Sequence, residues 1–485
     1  MTKILITGAS GNVGREVLDI FLNDKRFSCK ILLREKKANF KLAKKLKDRV
    51  EIVWGDLRDF ETCKNFLSGG DYLIHSAGII PPASEASAKL THETNVGATK
   101  NILEVLKDKN NIKLIYFSTY ATYGTRSFKN PWGRLGDPLL PPLFDEYAKS
   151  KLIAERNVIS SSLTWVSLRL PGVLYDNILF GNISDAIMFH TPWNTPIEWT
   201  TAESIAKIVK AIIVNDIAKN LPANFWRNIF NIGNGEGARV TGFETLNEGF
   251  KLMGKNVKSF FQPNWNPVKN FHCLWLEDSD AICKFFPENL ELESFDEFFA
   301  RLQKKFWFFK LGKPFAPIIK KLLIEPLLKQ DSAPLQWIKK NDTKRIKAFW
   351  GSLEVAKSVP KTWEDFFLLC ENQNPETGEF LDYNNLRDKT KAKNYRLNHG
   401  YDETKPNLSL EDLQKAAEFR GGKCLSKTAP ENPHSPLEWE CHLGHKFTLS
   451  KYAVLKGGFW CPVCMDSENY FTESLKHPYY KQIFK

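Results

Sequence analysis

"KILITGASGNVG", residues 3 to 14, begins with an apolar run and ends in three closely spaced glycines. The run at 4–6 predicts a buried parallel strand, and the apolar pattern that starts at Val17 predicts a helix. A strand, a glycine turn and a helix in this order are typical of a dinucleotide-binding unit. Glycine is needed there because the backbone must approach a pyrophosphate at the N-terminus of a helix.

A second predicted strand, "CKILLR", ends 20 residues after Gly14, where such folds bind the adenosine ribose of the cofactor. The chain continues there with Arg34, Glu35, Lys36 and Lys37. A guanidinium suits a ribose 2′-phosphate, so the sequence predicts NADP. The alternative is NAD, with Glu35 accepting the ribose hydroxyl.

Two more strand-and-loop pairs follow, "VEIVWGDLRD" at 50–59 and "DYLIHSAGII" at 71–80, and they alternate with helical patterns. This order predicts an α/β fold with a Rossmann doubly wound parallel sheet. We expect a small substrate lobe, a helical segment and a small C-terminal zinc-binding module to complete the chain. The predicted boundaries are 1–300 for the nucleotide-binding domain with its substrate lobe, 301–405 for a helical extension and linker, and 406–485 for the zinc module.

Residues 1–300 resemble the extended short-chain dehydrogenase/reductase family, which includes NAD-dependent epimerases and dehydratases. The resemblance rests on the glycine turn, Asp56, "HSAG" at 75–78 and "TNVGATKNILE" around Asn95. It implies a set of residues that contact the cofactor: Gly8, Gly11, Asn12, Val13, Gly14, Arg34, Asp56, Leu57, Ala77, Gly78, Tyr147, Lys151 and Pro171.

The segment "DEYAKSKLIAE" places Tyr147 and Lys151 four residues apart, so on a helix they share a face. A neighbouring ammonium lowers the pKa of a phenol from about 10 and helps it to exchange a proton. Thr119, at the end of the preceding strand pattern, stands where this family polarises the substrate carbonyl. Thr119, Tyr147 and Lys151 are therefore the predicted catalytic residues.

Departures from the family pattern narrow the predicted reaction. Tyr120 and Ala121 follow Thr119, where sugar-nucleotide dehydratases carry an Asp-Glu pair, and this argues against dehydration. Pro171 and Gly172 replace an asparagine common in sugar-nucleotide epimerases. The favoured function is an NAD(P)-dependent oxidoreductase acting on a secondary alcohol or ketone. The alternatives are a nucleotide-sugar epimerase with tightly held NAD, and a redox-sensing binding protein whose tail contacts nucleic acid or a partner.

Apolar residues flank the predicted catalytic site and indicate a small-molecule substrate of apolar character. They are Ile79, Ile80, Pro81 and Pro82 on one loop, then Tyr120 and Trp132. In the alternative interpretation these side chains only pack a loop over the site.

Composition limits the class of protein. Apolar residues make up 42% and charged residues 26%, as in globular domains, and the formal charge of +12 favours anionic partners. No run reaches the roughly 18 apolar residues of a spanning helix. Nine cysteines without regular spacing, after a start that leads directly into a strand, favour a reducing, cytoplasmic location.

Residues 301–330, "RLQKKFWFFKLGKPFAPIIKKLLIEPLLKQ", combine aromatic and basic residues. Pro314, Pro317 and Pro326 exclude one continuous helix. Short basic amphipathic helices are typical of interfacial membrane contact. The favoured interpretation is instead that the segment packs on the reductase and extends its lysines into water.

The tail contains two short ligand pairs, Cys441 with His445 and Cys461 with Cys464, fifteen residues apart. Each pair can present two ligands to a tetrahedral ion, so we predict one structural zinc site. Residues 408–466 resemble a zinc-ribbon module also found attached to nucleases. Cys424 and His442 are the rival ligands. A docking role beside the reductase is favoured over nucleic-acid contact.

Overall fold

The computed structural model describes residues 1–107, 111–126, 130–178, 185–369, 386–388 and 396–484. Its strands are β1 Thr2–Thr7, β2 Phe27–Leu33, β3 Glu51–Trp54, β4 Tyr72–His75, β5 Lys113–Thr119, β6 Trp132–Gly133, β7 Trp165–Leu170, β8 Gly172–Leu174, β9 Pro196–Thr201, β10 Asn228–Asn231, β11 Arg239–Thr241, β12 Trp275–Leu276, β13 Lys423–Cys424, β14 Pro436–Glu440 and β15 Lys446–Ser450.

Helices of α type alternate with the first strands and dominate the second half of the chain. They are α1 Asn12–Leu22, α2 Lys37–Leu46, α3 Phe60–Phe66, α4 Ala83–Ala86, α5 Ala88–His92, α6 Ala98–Lys107, α7 Glu146–Ile159, α8 Ala202–Ile217, α9 Gly242–Lys251, α10 Phe295–Lys305, α11 Ala316–Ile319, α12 Pro334–Lys339, α13 Thr343–Phe349, α14 Leu353–Ser358, α15 Trp363–Leu369, α16 Leu410–Phe419, α17 Lys451–Leu455, α18 Pro462–Met465, α19 Tyr470–Ser474 and α20 Pro478–Lys481.

Seven strands form the central sheet, in the order β10-β7-β5-β4-β1-β2-β3. Every neighbouring pair in it is parallel. The apolar run of β1 explains its central place, since Ile4, Leu5 and Ile6 are fully buried. This doubly wound α/β sheet confirms the predicted Rossmann fold class. A smaller sheet, β11-β9-β8, builds the substrate lobe.

Residues 307–329 form a chain of short helical turns rather than one helix. A 3₁₀ segment, Trp307–Phe315, leads into α11, a π turn at Lys320–Ile324 and a further 3₁₀ segment at Glu325–Lys329. The three prolines predicted this interruption. No helix in the described ranges is long and apolar enough to cross a membrane.

The C-terminal module packs against the domain of the central sheet and shares its core. Its antiparallel sheet, β13-β14-β15, carries Trp439, which belongs to the same cluster of buried apolar side chains as Leu139 and Trp165. The buried Arg169 of β7 donates to the carbonyl oxygen of Gly457 at 2.7 Å. The domain boundary predicted at 405 therefore does not coincide with a break in packing.

The predicted linker before this module lies partly outside the described residues. Where it is described, from Arg396 onward, it makes polar contacts with the domain of the central sheet. The His399 ring lies 2.9 Å from the carboxylate of Asp137, and Glu403 pairs with Arg134 at 2.6 Å. These contacts extend the interface between the module and the loop that precedes α7.

Candidate active site and metal centre

One cavity of about 730 Å³ lies at the carboxyl ends of the central strands and extends into the substrate lobe. Every residue predicted to bind the cofactor lines it: Gly8, Gly11, Asn12, Val13, Gly14, Arg34, Asp56, Leu57, Ala77, Gly78, Tyr147, Lys151 and Pro171. Thr119 lines it as well. The carboxyl edge of a parallel sheet is where doubly wound folds bind their ligands, so the cavity is the candidate active site.

The glycine turn forms a cradle with no room for side chains. Gly8 has a φ of +74°, and a Cβ on it would lie 2.8 Å from the backbone nitrogen of Ala77. A Cβ on Gly14 would lie 2.3 Å from the carbonyl oxygen of Gly8. The N-cap residue of α1, Gly11, has no side chain to cap the first amides, which leaves them available to an anion. The cradle therefore fits a dinucleotide pyrophosphate.

Asn95 fixes the loop that passes under the predicted cofactor ribose. Its Oδ1 accepts from the backbone of Ile79 at 2.7 Å, and its Nδ2 donates to Ser150 of α7 at 2.9 Å. Gly78 fits beside it, because a Cβ there would lie 3.1 Å from Asn95 Oδ1. The loop after β4 and the helix with the predicted catalytic residues are thus held together by one buried amide.

Of the residues 34–37, Arg34 alone lines the cavity. It is exposed, and the side chain of Asn39 donates to its carbonyl oxygen at 2.8 Å, which fixes the turn after β2. Asp56 faces the same end and pairs with Arg58 at 3.0 Å. Glu35 does not line the cavity in this structure.

Tyr147 and Thr119 both line the cavity, and their side chains are close enough for Thr119 to affect the pKa of Tyr147. Thr119 ends β5, and Tyr147 stands in the first turn of α7, whose N-terminus is capped by Asp145. Burial raises the pKa of Tyr147 to about 12, although the interaction with Thr119 opposes this shift. Tyr147 is therefore a protonated phenol at neutral pH, ready to act as an acid.

Lys151 lies one turn later on α7, but its ammonium turns towards β5. Nζ donates to the hydroxyl of Tyr116 at 2.7 Å and to the carbonyl oxygen of Phe117 at 2.5 Å. Burial lowers the pKa of Lys151 to about 7. The structure does not show the predicted lowering of the Tyr147 pKa by Lys151, because burial of the phenol dominates the shift.

The pKa of Lys151 predicts a pH dependence of stability. Between about pH 7 and its ordinary value near 10.5, the unfolded chain carries a proton on this lysine that the folded chain has lost. The contribution of Lys151 to the free energy of unfolding should therefore rise with pH, by at most about 1.4 kcal/mol per pH unit. Urea unfolding of cofactor-free wild type and Lys151→Met at pH 7 and pH 9 measures it. A stability difference independent of pH would contradict the shift.

Three ionisable residues, Glu85, Asp145 and His272, lie close to one another near Tyr147, and the sequence pattern did not indicate them. His272 is hydrogen-bonded through Nδ1 to Asp145, the cap of α7, and its ring centroid lies 6.5 Å from that of Tyr147. Burial lowers the pKa of His272, but Asp145 outweighs burial and the net shift is upward. Desolvation raises the pKa of Glu85 to about 7. Only the fold brings these residues together, since His272 and Asp145 are 127 positions apart.

The far end of the cavity is mostly apolar. Side chains from the substrate lobe and from the extension line it: Ile187, Met188, Leu246, Phe250, Met253, Phe271, Phe299 and Phe349. Ile79, Ile80, Pro81 and Tyr120 also face the cavity, as the sequence indicated. Pro82 and Trp132 do not line it. Pro82 is exposed, and Trp132 is buried against Trp275 and packs the loop before α7.

The four predicted metal ligands meet at one point of the tail. Cys441 Sγ lies 3.4 Å from His445 Nδ1 and 3.6 Å from Cys464 Sγ, and Cys461 Sγ lies 3.7 Å from the same nitrogen. Zinc bonds of about 2.0–2.3 Å in a tetrahedron separate ligand atoms by roughly 3.4–3.8 Å. The arrangement therefore fits a four-coordinate zinc ion.

The rival ligands lie outside this cluster, which consists of Cys441, His445, Cys461 and Cys464. Cys424 stands at the end of β13. His442 turns away, with Nε2 3.6 Å from a carboxylate oxygen of Glu473.

Comparisons with known proteins agree with the fold of the N-terminal half. Residues 4–174 match the NAD dependent epimerase/dehydratase family. A solved structure of dTDP-glucose 4,6-dehydratase from Bacillus anthracis, in complex with NAD, superposes with a TM-score of 0.50 and 17% identity, over 65% of this chain and 98% of that one. At this identity the likeness concerns the fold alone.

Curated relatives match over shorter stretches. Short-chain dehydrogenase/reductase family 42E member 1 of Bos taurus is 30% identical, over 25% of this chain and 32% of that protein. The 3 beta-hydroxysteroid dehydrogenase type 7 of Homo sapiens is 28% identical, over 25% and 34%. An uncharacterized membrane protein of Methanocaldococcus jannaschii is 28% identical, over 33% and 43%. The chain thus spans between about a third and two fifths of the length of these relatives.

Proposed function

We propose that this chain, whose N-terminal region is an extended short-chain dehydrogenase/reductase domain, is an NADP-dependent oxidoreductase that interconverts a secondary alcohol and a ketone. The observation that carries the proposal is the single cavity in which the glycine cradle leads to Tyr147 and Thr119. A bound reduced nicotinamide would supply the hydride.

The residues of the chain position the substrate oxygen and supply its proton. The Thr119 hydroxyl donates a hydrogen bond to the carbonyl oxygen, and the Tyr147 phenol transfers its proton to that oxygen as it becomes a hydroxyl. Lys151 lines the same cavity and is held by Tyr116 and the Phe117 carbonyl. Its proposed role is to orient the nicotinamide ribose and to restore the proton. Because its pKa is raised, Tyr147 is protonated at neutral pH, which is the form that the reductive direction needs.

The lining of the far end supports an apolar substrate. Phe250, Phe271 and Phe299 can cover hydrocarbon, and the pair His272 with Asp145 offers one polar contact near the reacting oxygen. Turnover of a panel of cyclic and long-chain ketones, followed by loss of NADPH absorbance, tests the proposal. Tightly held NAD with no net NADPH oxidation would instead identify an epimerase.

Cofactor choice is tested at Arg34. Arg34→Ala should weaken NADP binding roughly tenfold or more, because a charge-assisted contact with the 2′-phosphate contributes about 1.5–3 kcal/mol, and should leave NAD binding within about twofold. Lys37→Ala is the matched control, since Lys37 does not line the cavity. Calorimetric titration of both cofactors measures the effect. Equal losses for NADP and NAD in Arg34→Ala would contradict a 2′-phosphate contact.

The metal centre is proposed to be structural. Four protein ligands leave no open coordination position for a substrate, and Cys441, Cys461 and Cys464 are buried. In a module this small the binding free energy of zinc is largely folding free energy. The module's place against the loop before α7 suggests that it supports the reductase.

A further inference from the structure

Residues 307–323 expose a dense group of large apolar side chains, which we call the apolar surface. Its members are Trp307, Phe308, Leu311, Phe315, Ile318, Leu322 and Leu323, each between 45% and 67% exposed. Water-exposed apolar side chains occur singly on most proteins, but a contiguous set of this size marks a contact site. The favoured sequence interpretation, that this segment simply packs, accounts for one of its faces only.

The opposite face of the same segment is covered by the substrate lobe. Ala316, Ile324 and Leu327 are buried in a cluster with Phe250. Because the inner face is buried against the substrate lobe, the orientation of the segment is fixed, and the apolar surface points towards solvent. Rotation of the turns therefore cannot hide it.

Lysines surround the apolar surface and carry a strong positive charge. Residues 301–330 contain seven lysines, one arginine and one acidic residue, Glu325. Lys313 and Lys321 are exposed, and among the described residues neither takes part in an ion pair. An apolar surface flanked by lysines suits the interface of an anionic membrane. The negatively charged headgroups attract the lysines, and the apolar side chains insert at the boundary with the acyl chains.

The apolar surface adjoins the wall of the candidate active site. Phe299 and Met253 line the cavity, and α10, which carries Phe299, leads directly to Trp307. Gly254, next to Met253, packs against residues 310–313, since a Cβ on it would lie 3.1 Å from the carbonyl oxygen of Lys310. A membrane-bound protein would therefore hold this wall of the cavity close to the lipid.

We propose that the apolar surface docks the protein on anionic lipid membranes as a peripheral contact, so that an apolar substrate can reach the cavity from the bilayer. The docking step stands on the exposed surface and its lysines. The delivery of substrate rests on the proposed function and would fail with it.

Flotation of the full chain with vesicles tests docking. Wild type should bind phosphatidylcholine vesicles containing 30% phosphatidylserine in about 50 mM salt, bind pure phosphatidylcholine at least tenfold more weakly, and detach from the anionic vesicles in about 500 mM salt. Leu311→Glu/Ile318→Glu/Leu322→Glu should lower binding to the anionic vesicles at least tenfold. Absence of wild-type binding at low salt would overturn the proposal.

A second triple variant separates surface position from added charge. Leu90→Glu/Ile217→Glu/Val355→Glu adds the same three charges at exposed apolar positions elsewhere and should float like wild type. If both triple variants lost vesicle binding equally, the loss would come from the added negative charge and not from the position of the substitutions. A different outcome is that wild type is a dimer that does not bind vesicles and that the first triple variant is a monomer. The apolar surface would then be a subunit interface, and the proposal would be wrong. Tyr147→Phe should float normally, which separates docking from the proposed reductase function.

Discussion

Replacing Tyr147 by phenylalanine is expected to slow ketone reduction by about 10²- to 10⁴-fold and to leave NADP affinity within about twofold. The Tyr147 phenol lies beside Thr119 in the cavity and is the proposed proton donor, so its removal takes that donor away from the forming alkoxide. Packing should be preserved, because phenylalanine fills the same space. Steady-state kinetics and calorimetric NADP titration of the purified variant measure the two quantities.

Tyr175→Phe is the matched control for this prediction. Tyr175 lines the same cavity, so the variant removes one hydroxyl from the same wall without touching Thr119. Its turnover should stay within about threefold of wild type. Full activity of Tyr147→Phe would remove the proposed mechanism, whereas equal losses in both variants would indicate a general disturbance of the cavity.

The nucleotide-binding half was predictable because its signals are local. A strand, Gly8, Gly14 and a helix lie within residues 2–22, and the strain that a Cβ would cause at either glycine arises in the turn and its close neighbours. The spacing of Tyr147 and Lys151 likewise fixes their shared helix face. Such features depend on backbone geometry over a few residues, which the order of amino acids specifies directly.

Features that need a distant partner could not be predicted. The lysine of the catalytic set turns to Tyr116, 35 residues away, and His272 reaches Asp145 across 127 positions. No spacing rule relates such positions, because the fold alone brings them together. The same holds for the apolar surface, since the composition of 301–330 revealed apolar and basic residues but not which face the substrate lobe would cover.

The position of the zinc module is a third such case. Arg169 and Gly457 lie 288 residues apart, and so the sequence could favour docking but not identify the docked surface. The structure shows that the zinc module contacts the loop that leads to α7. The backbone of Gly136 donates to the carbonyl oxygen of Lys456 at 2.9 Å, and Tyr470 donates to that of Leu139 at 3.0 Å. Loss of the module should therefore disturb the position of Tyr147.

Cys464→Ser is expected to lower bound zinc well below one ion per chain and to reduce ketone turnover at least about tenfold. Structural zinc contributes about 10–16 kcal/mol to the folding of isolated finger peptides, so a missing thiolate should loosen the module. Residues 136–139 would then lose their backbone partners, and the loop that ends at Asp145 would no longer hold α7 firmly. A displacement of catalytic groups by about 1 Å can cost roughly 100-fold in rate. Metal analysis, limited proteolysis and kinetics measure the three effects.

Cys424→Ser provides the comparison, because it removes another buried thiol of the same module without touching the predicted ligands. It should keep one zinc ion and near-normal turnover. If Cys464→Ser retained one zinc ion per chain, the ligand assignment would be wrong. If zinc were lost and turnover stayed normal, the module would bind metal without supporting the loop. Lost zinc and lost turnover in Cys464→Ser alone would tie the order of the candidate active site to a metal centre more than 300 residues away in the chain. The module reaches Tyr147 through the interface at 136–139 and through the ion pair between Arg156 of α7 and Asp466.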